Sequence, residues 1–509
     1  MKTMSRRQFL TTATAGSVVA VAGSANAAAC QSDLPQKWDV EVDVAVLGCG
    51  AAGLMAAIQA KDGGASVAIF DKGLSPYHTS TRLNGGCFAA CGSRMQKENG
   101  VKDTPEAFAQ NISDYGDGMT LMEPTLTYAK NSGAAFDWLQ DAGLAPGFWQ
   151  PYNGHVNPRT VRQNTYNGKD YIDVLTKGLE KRGMKIVHNH ALIRFFFDTK
   201  TNTCLGFECG NSEKTLKVRA KKGVVMATGG ITGSAKEVAK WSPVLSNAVT
   251  IGCGSNTGEA LRIAVRDLGA PLTHMQYFAE YPYARAIAPG RGPQIRYQYF
   301  VENGGMLLSQ TGKRFVNEDL APTQISPFMK RNPGKCMYLL ITRDILERTT
   351  KKYPFGALFS SPQWDQAKFE EELKRGRVAV EGATIAEAAK KAGIDAAAAE
   401  KQVAEWNAMV DAKKDTEFGR KNFSEKLGKG PYLIAKVDLW VCLSMGGVKV
   451  NKSFQVLGYD DQPIKGIYAA GETVGGIHGV NYLGGDACGF AHTSGYVVGR
   501  VLTGQSVSL

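Results

Sequence analysis

The chain has 509 residues, 43% hydrophobic and 21% charged, with a formal net charge of +12. That length predicts two domains, and the balance is ordinary for a globular protein. The basic excess contains no basic run with interleaved aromatics, which argues against nucleic acid, and after the leader no apolar run approaches the ~20 residues of a membrane span.

Residues 1–29 read as an export signal. Ser5-Arg6-Arg7-Gln8-Phe9-Leu10 precedes the apolar stretch from Val18 to Gly23, and Ser24-Ala25-Asn26-Ala27 has the small-residue cleavage pattern. The paired arginines resemble a twin-arginine signal. That route carries folded proteins, so it suits an enzyme that takes up a cofactor before export. Cleavage is expected after Ala27, with lipidation at Cys30 as the alternative. The mature protein is expected outside the cytoplasmic membrane, periplasmic or tethered to it.

The organising stretch follows. Val44 to Leu47 has strand length, Gly48-Cys49-Gly50-Ala51-Ala52-Gly53 follows at once, and Leu54 to Lys61 predicts a helix. Ser66 to Phe70 predicts a second strand ending at Asp71 and Lys72. Gly48 permits the tight turn, Gly50 admits a pyrophosphate to the backbone, and Gly53 lets helix pack on strand. The helix start offers N–H groups and a positive dipole end to the phosphates. Asp71 has acceptors for both ribose hydroxyls.

Thr79 to Ala90 is small and polar with the Gly85-Gly86 pair, a loop able to lie against a flat ring system. Helices are predicted at 105–110, 124–141 and 171–181, and strands at 185–188, 192–197, 203–209, 215–220 and 223–226. Another helix is predicted at 257–268. A second region, 276–437, is richer in aromatics and prolines, with helices near 366–375, 385–392 and 396–413. The chain then returns through Ser444-Met445-Gly446-Gly447-Val448 and Ala469-Ala470-Gly471-Glu472 to a glycine-rich stretch ending at Gly489. The ten cysteines include no haem-attachment or ferredoxin-type run, and no metal site is expected. Cys87 and Cys91 are expected to be free thiols.

In order, GCGAAG at 48–53, ATGG at 227–230, NTGEALRIA at 256–264, GKRFVNE at 312–318, SMGGV at 444–448 and AAGETVGGIHGVNYLGGDA at 469–487 resemble one family. It is the FAD-binding family of fumarate reductases, succinate dehydrogenase flavoproteins and 3-ketosteroid dehydrogenases. The resemblance covers nearly all of the chain after Trp38. It implies an α/β fold: a Rossmann-like FAD-binding domain made of 38–275 and 438–509, with an α+β capping domain, 276–437, inserted between them. It assigns Gly48, Gly50, Ala52 and Gly53 to the pyrophosphate loop, and Asp71, with Lys72 beside it, to the ribose. Ser80, Gly85 and Gly86 fall along the flavin, Thr228 and Gly229 on the adenosine side, and Glu472 at the ribityl chain. Ala487 and Cys488 fall at a helix start near the isoalloxazine. Some members attach FAD through a histidine at the position of Thr79; His78 is one residue off, so FAD is expected to be non-covalent.

The fumarate-type catalytic set is absent. Tyr281 precedes Pro282 where that set has a histidine, and Pro322 stands for its proton-donating arginine. Gln298 and Val301 stand for its proton relay, Leu443 for a carboxylate-holding histidine, and Tyr482 for an arginine. Without these cations a buried dicarboxylate is strongly unfavourable. Tyrosines replace them: Tyr281, Tyr283, Tyr297, Tyr299 and Tyr482 fall at or beside substrate-facing positions. A phenol stays neutral at pH 7 and both donates and accepts hydrogen bonds. The expected function is an exported FAD-dependent oxidoreductase that reduces a neutral, enone-type C=C bond. Its electrons would come from a separate cytochrome c or a membrane quinol-linked protein. A ketosteroid-type dehydrogenase and a catalytically silent FAD-binding subunit are the alternatives.

Overall fold

The computed structural model describes residues 34–150, 154–246, 248–250, 252–285, 294–359, 364–422 and 425–509. The export signal and Cys30 lie outside the described residues. Among the described residues no helix is long and apolar enough to cross a membrane.

Strand β1 (Val40–Leu47) ends in the apolar run, whose residues are buried because it lies inside a sheet with a strand on each side. The chain turns at Gly48 into α1 (Ala51–Asp62), buried from Ala51 to Ala60. Strand β2 (Val67–Phe70) pairs parallel with β1. The segment expected to be an open loop instead holds a helical turn, α2 (Ser80–Leu83), and β3 (Cys87–Ala89). The latter pairs antiparallel with β4 (Thr160–Arg162). The helix expected over 105–110 continues to Tyr115.

Next come β5 (Ile186–Val187), β6 (Ala191–Asp198), β7 (Thr203–Gly210) and β8 (Thr215–Met226). The last, expected as two strands, is one. It follows β1 in parallel across a register shift between Val42 and Val44, and Lys221 and Lys222 stay exposed there. Helix α3 (Glu259–Leu268) ends this part.

The middle of the chain supplies β9 (Phe278–Arg285), α4 (Tyr297–Val301), α5 (Pro322–Met329), β10 (Cys336–Thr342) and β11 (Tyr432–Ser444). Long β11 pairs antiparallel with both β9 and β10 in a seven-stranded sheet. The chain then returns through β12 (Gln455–Leu457), β13 (Pro463–Ala469) and α6 (Asp486–Val501). Strand β13 enters the first sheet parallel to β8, with Ile467 opposite Val224. That sheet has eight strands, in the order β12-β13-β7-β8-β1-β2-β5 with β6 against β7. Helix α6 closes on α1 through two glycines. A Cβ at Gly495 would stand 2.2 Å from Ala52 O, and one at Gly499 2.4 Å from Ala56 O. Parallel and antiparallel sheets are thus combined in the expected mixed α/β fold.

Candidate active site

A cavity of about 1240 Å³ opens at the carboxyl ends of β1, β2 and β8 and reaches the face of β9 and β11. It exceeds the roughly 300–1,000 Å³ of ordinary small-molecule sites, so a dinucleotide and a substrate fit together. Gly48, Gly50, Ala52, Asp71, Lys72, Ser80, Gly85, Thr228, Gly229, Glu472, Ala487 and Cys488 all line it. Gly53 and Gly86 are not among the lining residues. Gly53 has the packing part expected of it: its missing Cβ would meet Gly48 O at 2.0 Å. Gly86, at φ +74, lies against Asn167.

The first end of the cavity suits a ribose and phosphates. Gly50 caps α1 without a side chain, which leaves the helix start open to the cavity. Asp71 accepts from Cys49 N–H at 2.8 Å and from Gly73 N–H at 2.6 Å, and each oxygen keeps another lone pair. The Cys49 thiol, Asp71 and His188 come within 4.8 Å of one another in this corner, and burial keeps Cys49 protonated. Lys72 is held by Glu259 at the start of α3 and by Thr257 Oγ1 at 3.0 Å. The Thr228 hydroxyl is buried with no partner among the described residues, as a group awaiting a ligand would be.

Further in, four separate stretches are tied together. Asn256 Nδ2 donates to Ser80 Oγ and to Glu472 Oε2, both at 3.0 Å, and Ser444 N–H donates to Glu472 Oε1 at 2.9 Å. Burial pushes the Glu472 carboxyl up to about 7 against these hydrogen bonds. Asn256 and Ser444 sit inside segments that sequence marks only as family motifs. Ala487 and Cys488 occupy the first turn of α6, whose N-cap, Gly485, supplies no side chain. Cys87 and Cys91 form no disulfide, in line with the expected thiols.

The second end is aromatic. Tyr281 and Tyr283 project from β9 with their rings 5.7 Å apart and nearly parallel. Tyr482 stands edge-on to Tyr281 at 6.2 Å and to His478 at 5.6 Å. The Tyr482 hydroxyl accepts from Gly485 N–H at 3.1 Å. The glycine turn thus spends this N–H on the phenol. His478 lines the cavity; burial lowers its pKa to about 4, so its imidazole is neutral. Tyr115 lines it too, its hydroxyl 3.1 Å from Thr323 Oγ1 at the start of α5.

One expectation needs correction. Tyr297 is fully buried in the core and does not line the cavity; its neighbours Arg296, Gln298 and Tyr299 do. On the short helix α4 an offset of one residue changes the face presented. Arg296, the residue before α4, lines the cavity as well. The positions that align with the fumarate-type cations do lack them.

Residues 43–487 match the model of the FAD binding domain family. The chain is 29% identical over 517 residues to the acrylate reductase flavoprotein subunit of Shewanella woodyi, covering 98% of each chain. In fold it is similar to a flavocytochrome c3 fumarate reductase, with a TM-score of 0.75 at 24% identity over 92% of this chain and 78% of that one. It is also similar to 3-ketosteroid-Δ4-(5α)-dehydrogenase of Rhodococcus jostii, with a TM-score of 0.71 at 23% identity over 92% and 98%.

Proposed function

The chain belongs to the FAD binding domain family, and from that premise we propose that this FAD-dependent oxidoreductase reduces a C=C bond conjugated to a carbonyl. The observation that carries the proposal is the Tyr482 phenol, accepting from Gly485 N–H at the aromatic end of the cavity. A hydroxyl that accepts a hydrogen bond becomes a stronger donor. Tyr482 therefore polarises the substrate carbonyl and holds the negative charge that builds on its oxygen during reduction. Bound FAD supplies the hydride. Tyr281, in ring contact with Tyr482, is placed to bring the proton to the neighbouring carbon. Neutral His478 supports the Tyr482 ring without adding a charge.

The likeness to an acrylate reductase subunit favours reduction over dehydrogenation. Anaerobic dye-coupled turnover over enones and unsaturated acids tests this. Turnover of enones is expected; oxidation of saturated ketones alone would favour the ketosteroid-type reaction, and no turnover of either would favour a silent FAD-binding subunit.

FAD is held non-covalently in this proposal, since Thr79, at the position of the attaching histidine, has no nucleophilic ring nitrogen. The protein is exported by the twin-arginine route, and its electrons come from a separate cytochrome c or a membrane quinol-linked protein. Replacing Arg6 and Arg7 by lysine is expected to leave precursor in the cytoplasm. Undiminished periplasmic activity in that variant rules the route out.

A further inference from the structure

We propose that Arg162 balances the negative charge that FAD gains on reduction, and thereby raises the reduction potential of the bound flavin. The inference rests on the proposed reaction in one respect: the flavin ring has to lie toward the tyrosine end, where the hydride is delivered.

Arg162 ends β4, opposite Cys87 of β3. It is 1% exposed and stands behind Gly85, which lines the cavity. Its Nε donates to Gly85 O at 3.0 Å, and a Cβ on Gly85 would lie 3.7 Å from its Nη2. Gly85 has no side chain, so only backbone separates the guanidinium from the cavity. The loop around it is tied down. Gly86 N–H donates to Asn84 Oδ1 at 2.6 Å, and Gln163 N–H donates to Gly86 O at 2.9 Å. The cation is thus held in place before any charge appears.

This cation has no acid beside it. Four arginines are buried among the described residues. Arg159 pairs with Asp103, and Arg314 and Arg420 pair with Glu318. Arg162 forms no ion pair among the described residues; it has the Gly85 carbonyl and the Tyr166 ring, whose centre is 4.4 Å from its Cζ. A buried cation without a carboxylate is costly, and a negative charge arriving next to it offsets that cost.

Two contacts set this corner toward the tyrosine end. Asn84 Nδ2 is 3.8 Å from Cys488 Sγ in the first turn of α6. Arg162 also acts electrostatically on the Tyr283 phenol, which lines the cavity. The start of α1, where the phosphates are expected, is met instead by Thr81, whose Oγ1 accepts from Ala51 N–H at 2.9 Å. Two electrons and one proton added to the oxidised ring leave it one negative charge, and the departing hydride carries that charge to the substrate. A fixed cation across a low-dielectric wall favours the reduced form over the oxidised one.

The test uses FAD-loaded full-length protein, titrated anaerobically with dithionite against a reference dye. Wild type is expected to bind reduced FAD at least about tenfold tighter than oxidised FAD, a two-electron midpoint about 30 mV or more above that of free FAD in the same buffer. Arg162→Gln should lose at least about tenfold of that preference. Arg162→Lys, which keeps the charge but not the paired donors, should retain most of it. A wild-type midpoint at or below that of free FAD overturns the proposal, whether or not the variants fold. An equal fall in Arg162→Lys and Arg162→Gln overturns it too, because the role is then one of packing. Equal weakening of oxidised and reduced FAD in Arg162→Gln, with the midpoint unmoved, overturns it and reassigns the cation to the pyrophosphate. If the midpoints behave as expected and no enone is reduced, the role of Arg162 stands and the proposed reaction falls.

Discussion

Tyr482→Phe is expected to lower turnover at least about tenfold, equivalent to ~1.4 kcal/mol, with FAD content and folding unchanged. The loss can reach roughly 10²–10³, the usual cost of removing one preorganised donor from a developing oxyanion. The substitution keeps the ring that meets Tyr281 and His478 and deletes only the oxygen that accepts from Gly485 N–H. That N–H then turns to water or to the substrate, which returns part of the loss. Steady-state rates on the best substrate, with the flavin absorbance per protein as control, make the comparison. Near-normal turnover transfers the role to Tyr281, Tyr283 or Tyr299, which line the same cavity.

Gly48→Ala is expected to yield protein without flavin. The alanine Cβ would stand 2.1 Å from Ala227 O, on backbone at φ +106. The strained conformation alone costs of order 1–3 kcal/mol, and the clash is with backbone, which cannot swing away. Relief requires moving the ends of β1 and β8, where the cavity opens. Gly50→Ala is the informative companion. Its Cβ meets nothing nearer than Thr81 Oγ1 at 3.5 Å, and its φ of −75 suits any residue. It should keep the thermal midpoint of flavin-free protein and still lose FAD affinity, because the methyl fills the approach of the pyrophosphate. Acid precipitation of wild type should carry all yellow colour into the supernatant; colour left in the pellet contradicts non-covalent binding. Gly48→Ala with full flavin content would place the dinucleotide elsewhere.

The dinucleotide end was legible in the sequence because its parts are local. Strand, glycine loop, helix and Asp71 lie within one βαβ unit, and each residue type has a backbone reason visible without a partner. The Asn256 bridge was not legible in this way. It joins Ser80 across 176 positions and Glu472 across 216, and no local pattern records such ties. The aromatic end was half legible. Tyrosines at aligned positions include Tyr281, Tyr283, Tyr299 and Tyr482, all of which line the cavity. Alignment cannot show that Tyr297 turns into the core, nor that Arg296 beside it lines the cavity.

The packing of α6 on α1 bears on how the protein is made. Gln59 contacts Arg500 and Gln505 across 441 and 446 positions, so the two halves of the cradle are synthesised far apart in time. Until β13 and α6 emerge, the apolar flank of α1 has no cover and the cofactor has no complete seat. Contacts that close across such separations are intrinsically slow to form, and apolar surface stays exposed until they do. Flavin capture is therefore a closing step of biogenesis, and free FAD, by binding only the finished state, draws the last intermediate forward by mass action. Scarcity of flavin should thus appear first as lost protein, before it appears as inactive protein.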